Sequence, residues 1–310
     1  MHRTCAAAIV SISLTLLSFD VAAAAPAPVR AVLVTGASTG IGRNVTEHLA
    51  AAGYFVYAGA RKPADLEALG KIENVQAIKL DVTKPEDITA AVDTITKAGR
   101  GLYGLVNNAG VASIGTATGT KPEEFDLMMH VNVYGPVRVT QAFAPLIIAA
   151  KGRITTIGSI SGILAPTQLS AYAMSKHAIE AFGDSLAAEM EPLGVKVSLI
   201  EPGNYNSEIG KSAVARTGVT GKLTDRSKYK QPDEVSAAVA LALFEENPKL
   251  RYMTTPNQDE ADYTIRKQIA QLVQLNEGHA WTRDRDALVK ILDEALATAR
   301  PKIAAAAPSP

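Results

Sequence analysis

The sequence predicts an α/β fold in which a doubly wound parallel sheet forms a single domain with a C-terminal helical extension. Short β-branched runs alternate with longer helical patterns over residues 30–255, and neither a Gly/Ser-rich linker nor an internal repeat interrupts them. Parallel neighbours need right-handed crossovers, which the intervening helices supply, so helices cover both faces of the sheet. The predicted strands are 31–35, 55–58, 75–80, 102–106, 153–158, 195–200 and a short edge strand at 251–254, and the predicted helices are 41–52, 64–70, 85–98, 121–150, 171–191 and 233–246.

Two of these helices begin with the same pattern, Thr-Lys-Pro-Glu, at residues 83–86 and 120–123. Threonine is a favoured N-cap, proline fits the first turn, and a glutamate three positions later reaches back to the N-cap amide. The pattern therefore predicts a capping box at each start, with Thr83 and Thr120 as the N-caps.

Composition argues against several classes of function. The 310 residues carry 31 basic and 31 acidic side chains, so no basic surplus indicates a nucleic-acid partner. Cys5 is the only cysteine, and the five histidines lack the spacing of metal ligands. We therefore expect no nucleic acid, no disulfide framework and no metal site.

Residues 1–29 are typical of a targeting segment rather than of the fold. A weakly basic start precedes an apolar run over 5–19, and small residues follow at 21–25. This pattern predicts a secretory signal and hence export, or, if the segment is not cleaved, an N-terminal membrane anchor. The alternative is a start assigned too far upstream, which leaves a cytoplasmic protein that begins near Val29.

A glycine-rich turn follows the first predicted strand and runs directly into the first predicted helix. The N–H groups of a helix N-terminus and the helix dipole favour phosphate, and glycine lets the backbone approach it closely. A turn of this kind is typical of a Rossmann-type dinucleotide site. The alternative is an ordinary strand-to-helix turn that uses three glycines. The candidate cofactor contacts in this turn are Gly36, Ser38, Gly40, Ile41 and Gly42.

The residue type after the second predicted strand indicates which dinucleotide binds. NAD-binding proteins usually place a carboxylate there for the ribose hydroxyls, whereas this chain has Arg61 and Lys62. The Arg61 guanidinium can hold a 2′-phosphate through paired, charge-assisted hydrogen bonds. The sequence therefore favours NADP(H) over NAD(H), unless Arg61 and Lys62 are merely solvated loop charges.

Polar amides follow the fourth predicted strand, in the run Asn107-Asn108-Ala109-Gly110. At the carboxyl end of a central strand they would reach the crevice in which cofactors bind. The alternative is a structural role, because asparagine amides also join neighbouring strand ends through hydrogen bonds. The two roles are compatible, and we take Asn108, Ala109 and Gly110 as candidate cofactor contacts.

Tyr172 and Lys176 lie four residues apart at the start of a predicted helix, so they share one helix face. A nearby ammonium favours the phenolate form of a tyrosine, which makes Tyr172 a usable proton donor and acceptor. A lone pair with this spacing is often only an exposed helix face. The presence of Ser159, just past the fifth predicted strand, favours a catalytic role for the pair instead.

Together these motifs resemble the short-chain dehydrogenase/reductase family, and its steroid/retinol dehydrogenase-like branch in particular, over about residues 30–205. The resemblance implies an NADP-dependent oxidoreductase that acts on CH–OH and C=O groups, assembled as a homodimer or homotetramer. The matching positions are residues 35–42, Asp81-Val82, Asn107-Asn108-Ala109-Gly110, Asn132, Ser159, Tyr172-xxx-Lys176 and Pro202-Gly203.

The resemblance also implies a role for each matched residue. Tyr172 would be the general acid/base, Lys176 would bind the nicotinamide ribose, and Ser159 would hold the substrate oxygen. Asn132 would join a water relay. Asp81 and Val82 would contact the adenine of the cofactor, and Pro202 and Gly203 would contact the nicotinamide.

Segments 131–141 and 200–205 are similar to the branch of the family that acts on steroids and retinoids. We therefore expect an apolar alcohol, ketone or aldehyde as the small-molecule substrate. The long polar segment 204–231 is predicted to be a substrate loop that covers the pocket, or alternatively a disordered surface insertion.

Residues 256–300 are predicted to form the C-terminal helical extension, followed by a flexible tail at 301–310. Apolar residues recur there at helical spacing, which favours core or oligomer contacts, and Trp281 between them is an apolar anchor or lines the pocket mouth. The apolar positions are Ile265, Ile269, Leu272, Val273, Leu275, Leu288, Ile291, Leu292 and Leu296.

Two rival functions share this fold. A non-catalytic NADP-binding redox sensor or scaffold would need no proton donor, and the set Ser159, Tyr172 and Lys176 argues against it. An isomerase or dehydratase would form product without net turnover of the cofactor.

Overall fold

A computed structural model describes residues 29–219 and 226–304. In this part of the chain, seven strands form one sheet in the order β3-β2-β1-β4-β5-β6-β7, and every neighbouring pair is parallel. The doubly wound α/β class is therefore confirmed. The strands are β1 Ala31–Val34, β2 Phe55–Ala60, β3 Val75–Lys79, β4 Gly104–Asn107, β5 Arg153–Ile157, β6 Lys196–Pro202 and β7 Arg251–Thr254.

The chain reverses its direction of strand addition between β1 and β4. Strands β2 and β3 lie on one side of β1, whereas β4 to β7 lie on the other. A ligand crevice forms at such a reversal, outside the carboxyl ends of the strands. The topology therefore assigns a site to the segments that follow β1 and β4.

Ten α-helices flank the sheet or follow it in the described residues. They are α1 Gly40–Ala51, α2 Pro63–Gly70, α3 Pro85–Lys97, α4 Pro122–Met128, α5 Tyr134–Ala149, α6 Ser170–Met190, α7 Ile209–Thr217, α8 Asp233–Phe244, α9 Gln258–Asn276 and α10 Arg285–Ala304. Helices α1 and α8 bury Leu49 and Leu243 against one face of the sheet. Helices α3, α5 and α6 bury Ile95, Phe143 and Leu186 against the other face. Both faces are therefore covered, as parallel sheets require.

The helix predicted over 121–150 is interrupted. A π-helical turn, Met129–Val133, separates α4 from α5. Pro136 has no N–H to donate to the carbonyl of Asn132 four residues earlier, so a regular α-helical ladder cannot continue there. The turn directs the Asn132 side chain inward, where it is buried.

Both predicted capping boxes are wrong. The helices begin at Pro85 and Pro122, and neither N-cap position has a side-chain hydrogen bond. The hydroxyl of Thr83 donates to Asp81 instead, and that of Thr120 donates to the Thr116 carbonyl. Both threonine hydroxyls form hydrogen bonds within the turn that precedes the helix, because a nearby side-chain oxygen or carbonyl oxygen competes with the helix terminus for the hydroxyl.

The segment 204–231 contains a helix that the sequence analysis did not predict. Helix α7 occupies Ile209–Thr217 and buries Ala213 completely. Residues 220–225 of the predicted loop lie outside the described residues.

The C-terminal extension forms two helices, but its apolar stripes are not core. Ile269, Leu275 and Trp281 are 53%, 76% and 84% exposed. Of the two predicted roles, core contacts are therefore wrong for these residues, and oligomer contacts stay a prediction. Helix α10 continues to Ala304, so 301–304 are helical rather than tail. The leader at 1–28 and the tail at 305–310 lie outside the described residues.

Within residues 29–219 and 226–304, no helix has the length and apolar composition needed to cross a membrane. The same residues contain no group of three or more His, Cys, Asp or Glu side chains arranged to hold a metal ion.

Candidate active site

A cavity of about 930 Å³ opens at the carboxyl ends of β1, β4, β5 and β6. Almost every predicted site residue lines it, although these residues come from widely separated parts of the sequence. The predicted residues in its wall are Gly36, Ser38, Gly40, Ile41, Gly42, Arg61, Asp81, Val82, Asn108, Ala109, Gly110, Ser159, Tyr172, Lys176, Pro202 and Gly203. Asn132 is the one predicted residue that is not part of the wall.

The turn after β1 depends on glycine for its backbone conformation and for its close packing against the segment after β4. Gly36 and Gly40 have φ values of +65° and +56°, a region that residues with a Cβ seldom adopt. A Cβ on Gly42 would lie 2.2 Å from Nδ2 of Asn108 and 2.3 Å from the carbonyl oxygen of Gly36. The turn and the first residues of α1 therefore form a cradle along the cavity wall that a larger residue would disrupt.

Thr35 and Asn108 join the ends of β1 and β4 below this cradle. The Thr35 hydroxyl oxygen accepts hydrogen bonds from the backbone N–H groups of Asn108 and Ala109, each at 3.0 Å. Nδ2 of Asn108 donates to the carbonyl oxygens of Thr35, at 2.8 Å, and Gly36, at 3.0 Å. Asn108 thereby fixes the glycine turn, which is the structural alternative raised from the sequence, while also lining the cavity.

Asn107 points the other way. Its amide is buried and donates to the hydroxyl of Thr140 at 3.0 Å, which connects β4 to α5. Asn107 is not part of the cavity wall, so its contacts are structural.

Arg61 and Asp81 lie together at one end of the cavity. Nη1 of Arg61 is 3.9 Å from Oδ2 of Asp81, and the Arg61 side chain is 65% exposed. Partial burial alone would raise the pKa of the Asp81 carboxyl. Hydrogen bonds from Thr83 and the positive charge of Arg61 outweigh burial and lower that pKa. Asp81 is therefore charged at neutral pH, and Arg61 keeps donors free for an anion.

Ser159, Tyr172 and Lys176 approach the cavity from β5 and α6. The Ser159 side chain caps a short 3₁₀ turn by accepting the backbone N–H of Ser161 at 3.0 Å. Lys176 is buried, and its Nζ donates to the Ile157 carbonyl at 2.8 Å. That ammonium lies 5.7 Å from the centre of the Tyr172 ring. The geometry thus brings a hydroxyl, a phenol and an ammonium to one wall of the cavity.

Asn132 supports this wall from behind. Its amide group exchanges hydrogen bonds with the backbone of Val111, at 2.8 and 2.9 Å, and donates to the Ser175 hydroxyl at 2.9 Å. Ser175 in turn donates to the Tyr172 carbonyl at 2.7 Å. Asn132 therefore positions the start of α6, and its predicted place in a water relay stays a prediction.

Glu260 of α9 is a cavity residue that the sequence analysis missed. Its Oε2 accepts the backbone N–H of Asn204 at 2.9 Å, and a Cβ on Gly203 would lie 2.3 Å from the same oxygen. The Asn257 side chain caps α9 by accepting the N–H of Glu260 at 2.9 Å. The Asn-x-x-Glu spacing could have marked this helix start, but no local pattern links Glu260 to the segment after β6.

Helices α4 and α7 close the other end of the cavity. Nε of Arg216 lies 3.0 Å from Oε1 of Glu124, and the Arg216 guanidinium also donates to the Ala112 carbonyl. Burial would raise the pKa of Glu124, but the hydrogen bonds and the positive charge of Arg216 outweigh it and lower that pKa. This ion pair fastens α7 over a wall whose apolar members are Ala112, Ile114, Leu127, Val131, Leu164, Leu169 and Ile209.

Comparison with known proteins agrees with this geometry. The family model described as short chain dehydrogenase matches residues 30–217. The mitochondrial D-beta-hydroxybutyrate dehydrogenase of Bos taurus is 40% identical over 191 residues, which cover 58% of this chain and 55% of that enzyme. Retinol dehydrogenase 5 of Mus musculus is 36% identical over 189 residues, covering 59% of each chain. The alignments thus span little more than half the length of these two relatives.

A solved structure of a short-chain dehydrogenase from Streptomyces avermitilis shares the fold. It is 30% identical, with a TM-score of 0.70, and the superposition covers 81% of this chain and 96% of that one. By the match of its sequence and by its parallel sheet, the chain belongs to the short-chain dehydrogenase family.

Proposed function

We propose that the protein is an NADP(H)-dependent oxidoreductase that interconverts an alcohol and a carbonyl on an apolar substrate, with Tyr172 as the general acid/base. The observation that carries the proposal is the meeting of Ser159, Tyr172 and Lys176 in one cavity with the glycine cradle. A cofactor-binding scaffold without chemistry would need the cradle alone.

The residues of the cradle fit a dinucleotide. Gly36, Gly40 and Gly42 let the turn pack closely on the segments after β4 and β6, and the turn lines the cavity together with the N-terminus of α1, which favours a pyrophosphate. Arg61 stands at the end of β2 with free donors, and a 2′-phosphate is the group that this cation would bind. NADP(H), when bound, supplies or accepts the hydride.

The side chains perform the proton transfer. Ser159 donates a hydrogen bond to the substrate oxygen, which stabilises the negative charge that develops there during reduction. Tyr172 gives its hydroxyl proton to that oxygen, and the Lys176 ammonium stabilises the phenolate that results. Lys176 is buried and held by the Ile157 carbonyl, so its charge stays in place through the cycle. Oxidation of an alcohol reverses each transfer.

An apolar substrate is supported by the wall between α4 and α7. Leu127, Leu164 and Leu169 line it, and the nearby cation Arg216 is neutralised by Glu124. A substrate with a carboxylate would be favoured by Arg226, which lines the same cavity and whose buried Nε has no hydrogen-bond partner among the described residues. The two substrate classes are therefore compared directly in the test.

The test is oxidation of NADPH or NADH by the full-length chain with a panel of carbonyl compounds. The panel holds long-chain aldehydes, ketosteroids, retinal and 3-oxo acids. We expect turnover of the apolar members with NADPH, and its loss in Tyr172→Phe. Turnover of the 3-oxo acids alone would indicate a substrate with a carboxylate, which Arg226 would bind. Cofactor binding without turnover of any member would favour the sensor or scaffold.

A further inference from the structure

Two buried carboxyl groups lie directly behind the proposed catalytic residues. Glu180 is on α6, one turn after Lys176, and Glu201 is on β6, immediately before Pro202. The two residues are only 8% and 2% exposed. The mechanism proposed above uses neither of them.

Arg251 of β7 connects the two carboxyl groups. Its Nε lies 3.2 Å from Oε2 of Glu180 and 3.3 Å from Oε1 of Glu201. Nη2 of Arg251 lies 2.7 Å from Oδ1 of Asp184, which is half exposed on α6. One guanidinium therefore serves three carboxyl groups.

Glu180 also fills the space beneath the segment that carries Ser159. A Cβ on Gly158 would lie 2.6 Å from Oε1 of Glu180, and a Cβ on Gly162 would lie 2.9 Å from Cγ of Glu180. Glycines on both sides of Ser159 thus admit the carboxyl group. Any displacement of Glu180 moves against the backbone that presents the Ser159 hydroxyl.

The charges in this cluster do not balance if every group is ionised. Lys176, Glu180 and Asp184 face it from α6, Glu201 faces it from β6 and Arg251 from β7. Asp184 is half exposed and Lys176 donates to the Ile157 carbonyl, so in the described residues Arg251 is the one cation within ion-pair distance of the two buried carboxyl groups. An uncompensated charge at a buried site is costly, and a single proton removes it. Oε1 of Glu180 and Oε1 of Glu201 are both buried and accept no hydrogen bond from the described part of the chain, because the Arg251 contact with Oε1 of Glu201 is an ion pair without hydrogen-bond geometry. A proton held between the two carboxyl groups supplies that donor.

We propose that Glu180 and Glu201 share one proton and act as positioning residues for Ser159 and Lys176, an inference that rests on the proposed function. With the proton in place, the pair carries one negative charge, which the Arg251 guanidinium balances, and the pair holds β5, α6 and β6 at fixed separation. Loss of the proton sets two adjacent carboxylates against each other, and the segment around Ser159 shifts.

The pair loses its proton on the alkaline side of neutrality. Burial, followed by the charge of Glu180, raises the pKa of Glu201 to about 8, and burial also raises the pKa of Glu180. In alcohol oxidation Tyr172 accepts the proton of the substrate hydroxyl, and a rise in pH favours a step that removes a proton from the substrate. A fall of kcat above about pH 8 has the opposite sign and marks the carboxyl pair.

The kinetic test measures kcat for alcohol oxidation between about pH 7 and pH 9.5 in the wild type and in Glu201→Gln, which keeps the shape but cannot ionise. We expect kcat of the wild type to fall at least about threefold above its maximum, and that fall to be absent in the variant. Glu191→Gln, on an exposed side chain just after α6, is the matched control and should follow the wild type. The same alkaline fall in Glu201→Gln as in the wild type would overturn the proposal.

A second measurement does not depend on activity. Infrared spectra at neutral pH should show the carbonyl stretch of a protonated, buried carboxyl group in the wild type, and its loss in both Glu201→Gln and Glu180→Gln. A wild type without this band would refute the shared proton whatever its substrate. A wild type with the band but without carbonyl turnover would refute the proposed function alone. Using both variants keeps the test valid if one of them fails to fold.

Discussion

The two ends of the cavity are built on different principles. At the cofactor end, Thr35, Gly42 and Asn108 meet because β1 and β4 are neighbours in the sheet. At the substrate end, Arg216 and Glu124 are 92 residues apart and lie on helices that share no hydrogen-bonded register. The first end is therefore fixed by the topology of the sheet, and the second by single side-chain pairs. Substitutions at the two ends should therefore have effects of different size, and they should change different kinetic or binding parameters.

Tyr172, which stands between the two ends, should show the largest effect. Tyr172→Phe removes the proton that the proposed mechanism transfers, so kcat should fall by about 1,000-fold, within the usual range for general acid–base groups. The measurement is steady-state turnover, with cofactor affinity followed separately by calorimetry. Tyr134→Phe, on an exposed side chain outside the cavity wall, is the control. Retention of more than about a tenth of kcat would remove Tyr172 from this role.

The cofactor end should not tolerate one added methyl group. In Gly42→Ala the new Cβ collides with Asn108 and the Gly36 carbonyl, so the backbone of the turn must shift away from the position that binds the cofactor. We expect NADP(H) affinity to weaken by about 100-fold, or about 2.8 kcal/mol. Gly70→Ala is the matched control, because a Cβ there has no heavy atom within 4 Å. Equal affinities of the two variants, measured by calorimetry, would contradict the assignment of the cradle.

Arg61 should set the choice of cofactor rather than the strength of the whole site. Arg61→Gln removes a charged pair of donors from the 2′-phosphate, so affinity for NADPH should fall by about 20-fold. Affinity for NADH, which lacks that phosphate, should change less than about twofold. Arg285→Gln, on a side chain 84% exposed in α10, controls for the loss of charge. An equal loss of affinity for the two cofactors would show that Arg61 does not bind the phosphate.

The substrate end should show the smallest effect, and it should appear in KM. Arg216→Gln releases α7 from Glu124, so we expect the KM of an apolar substrate to rise about fivefold, or about 1 kcal/mol, with kcat little changed. Glu124→Gln breaks the same ion pair, and the double variant should raise KM by no more than either single variant does. Strictly additive effects would mean that the two side chains act independently.

The same contrast explains what the sequence could predict. The strands and the residues of the glycine turn could be predicted because they follow from periodicity and from the chemistry of strand ends. Helix α7 was missed because a polar surface segment with only Ala213 fully buried has little hydrophobic periodicity. The contact of Glu260 with Asn204 was missed because nothing local encodes it.

The errors in the helices also have local causes. Thr83 and Thr120 match a capping pattern, but each hydroxyl finds an acceptor in the turn before its helix. The stripe that includes Ile269 and Leu275 has helical periodicity, which predicts the helix correctly but does not specify what the stripe contacts. Periodicity therefore predicts the helices and strands, whereas the contacts between them are known only from the three-dimensional structure.

The most direct test of the proposed reaction follows the hydrogen at the carbonyl carbon. A carbonyl substrate is reduced with NADPH that carries deuterium at C4 of the nicotinamide, and the product alcohol is analysed by mass spectrometry. The account predicts an alcohol with deuterium on the former carbonyl carbon and a hydroxyl proton from solvent through Tyr172. Consumption of the substrate without transfer of deuterium to that carbon would contradict it.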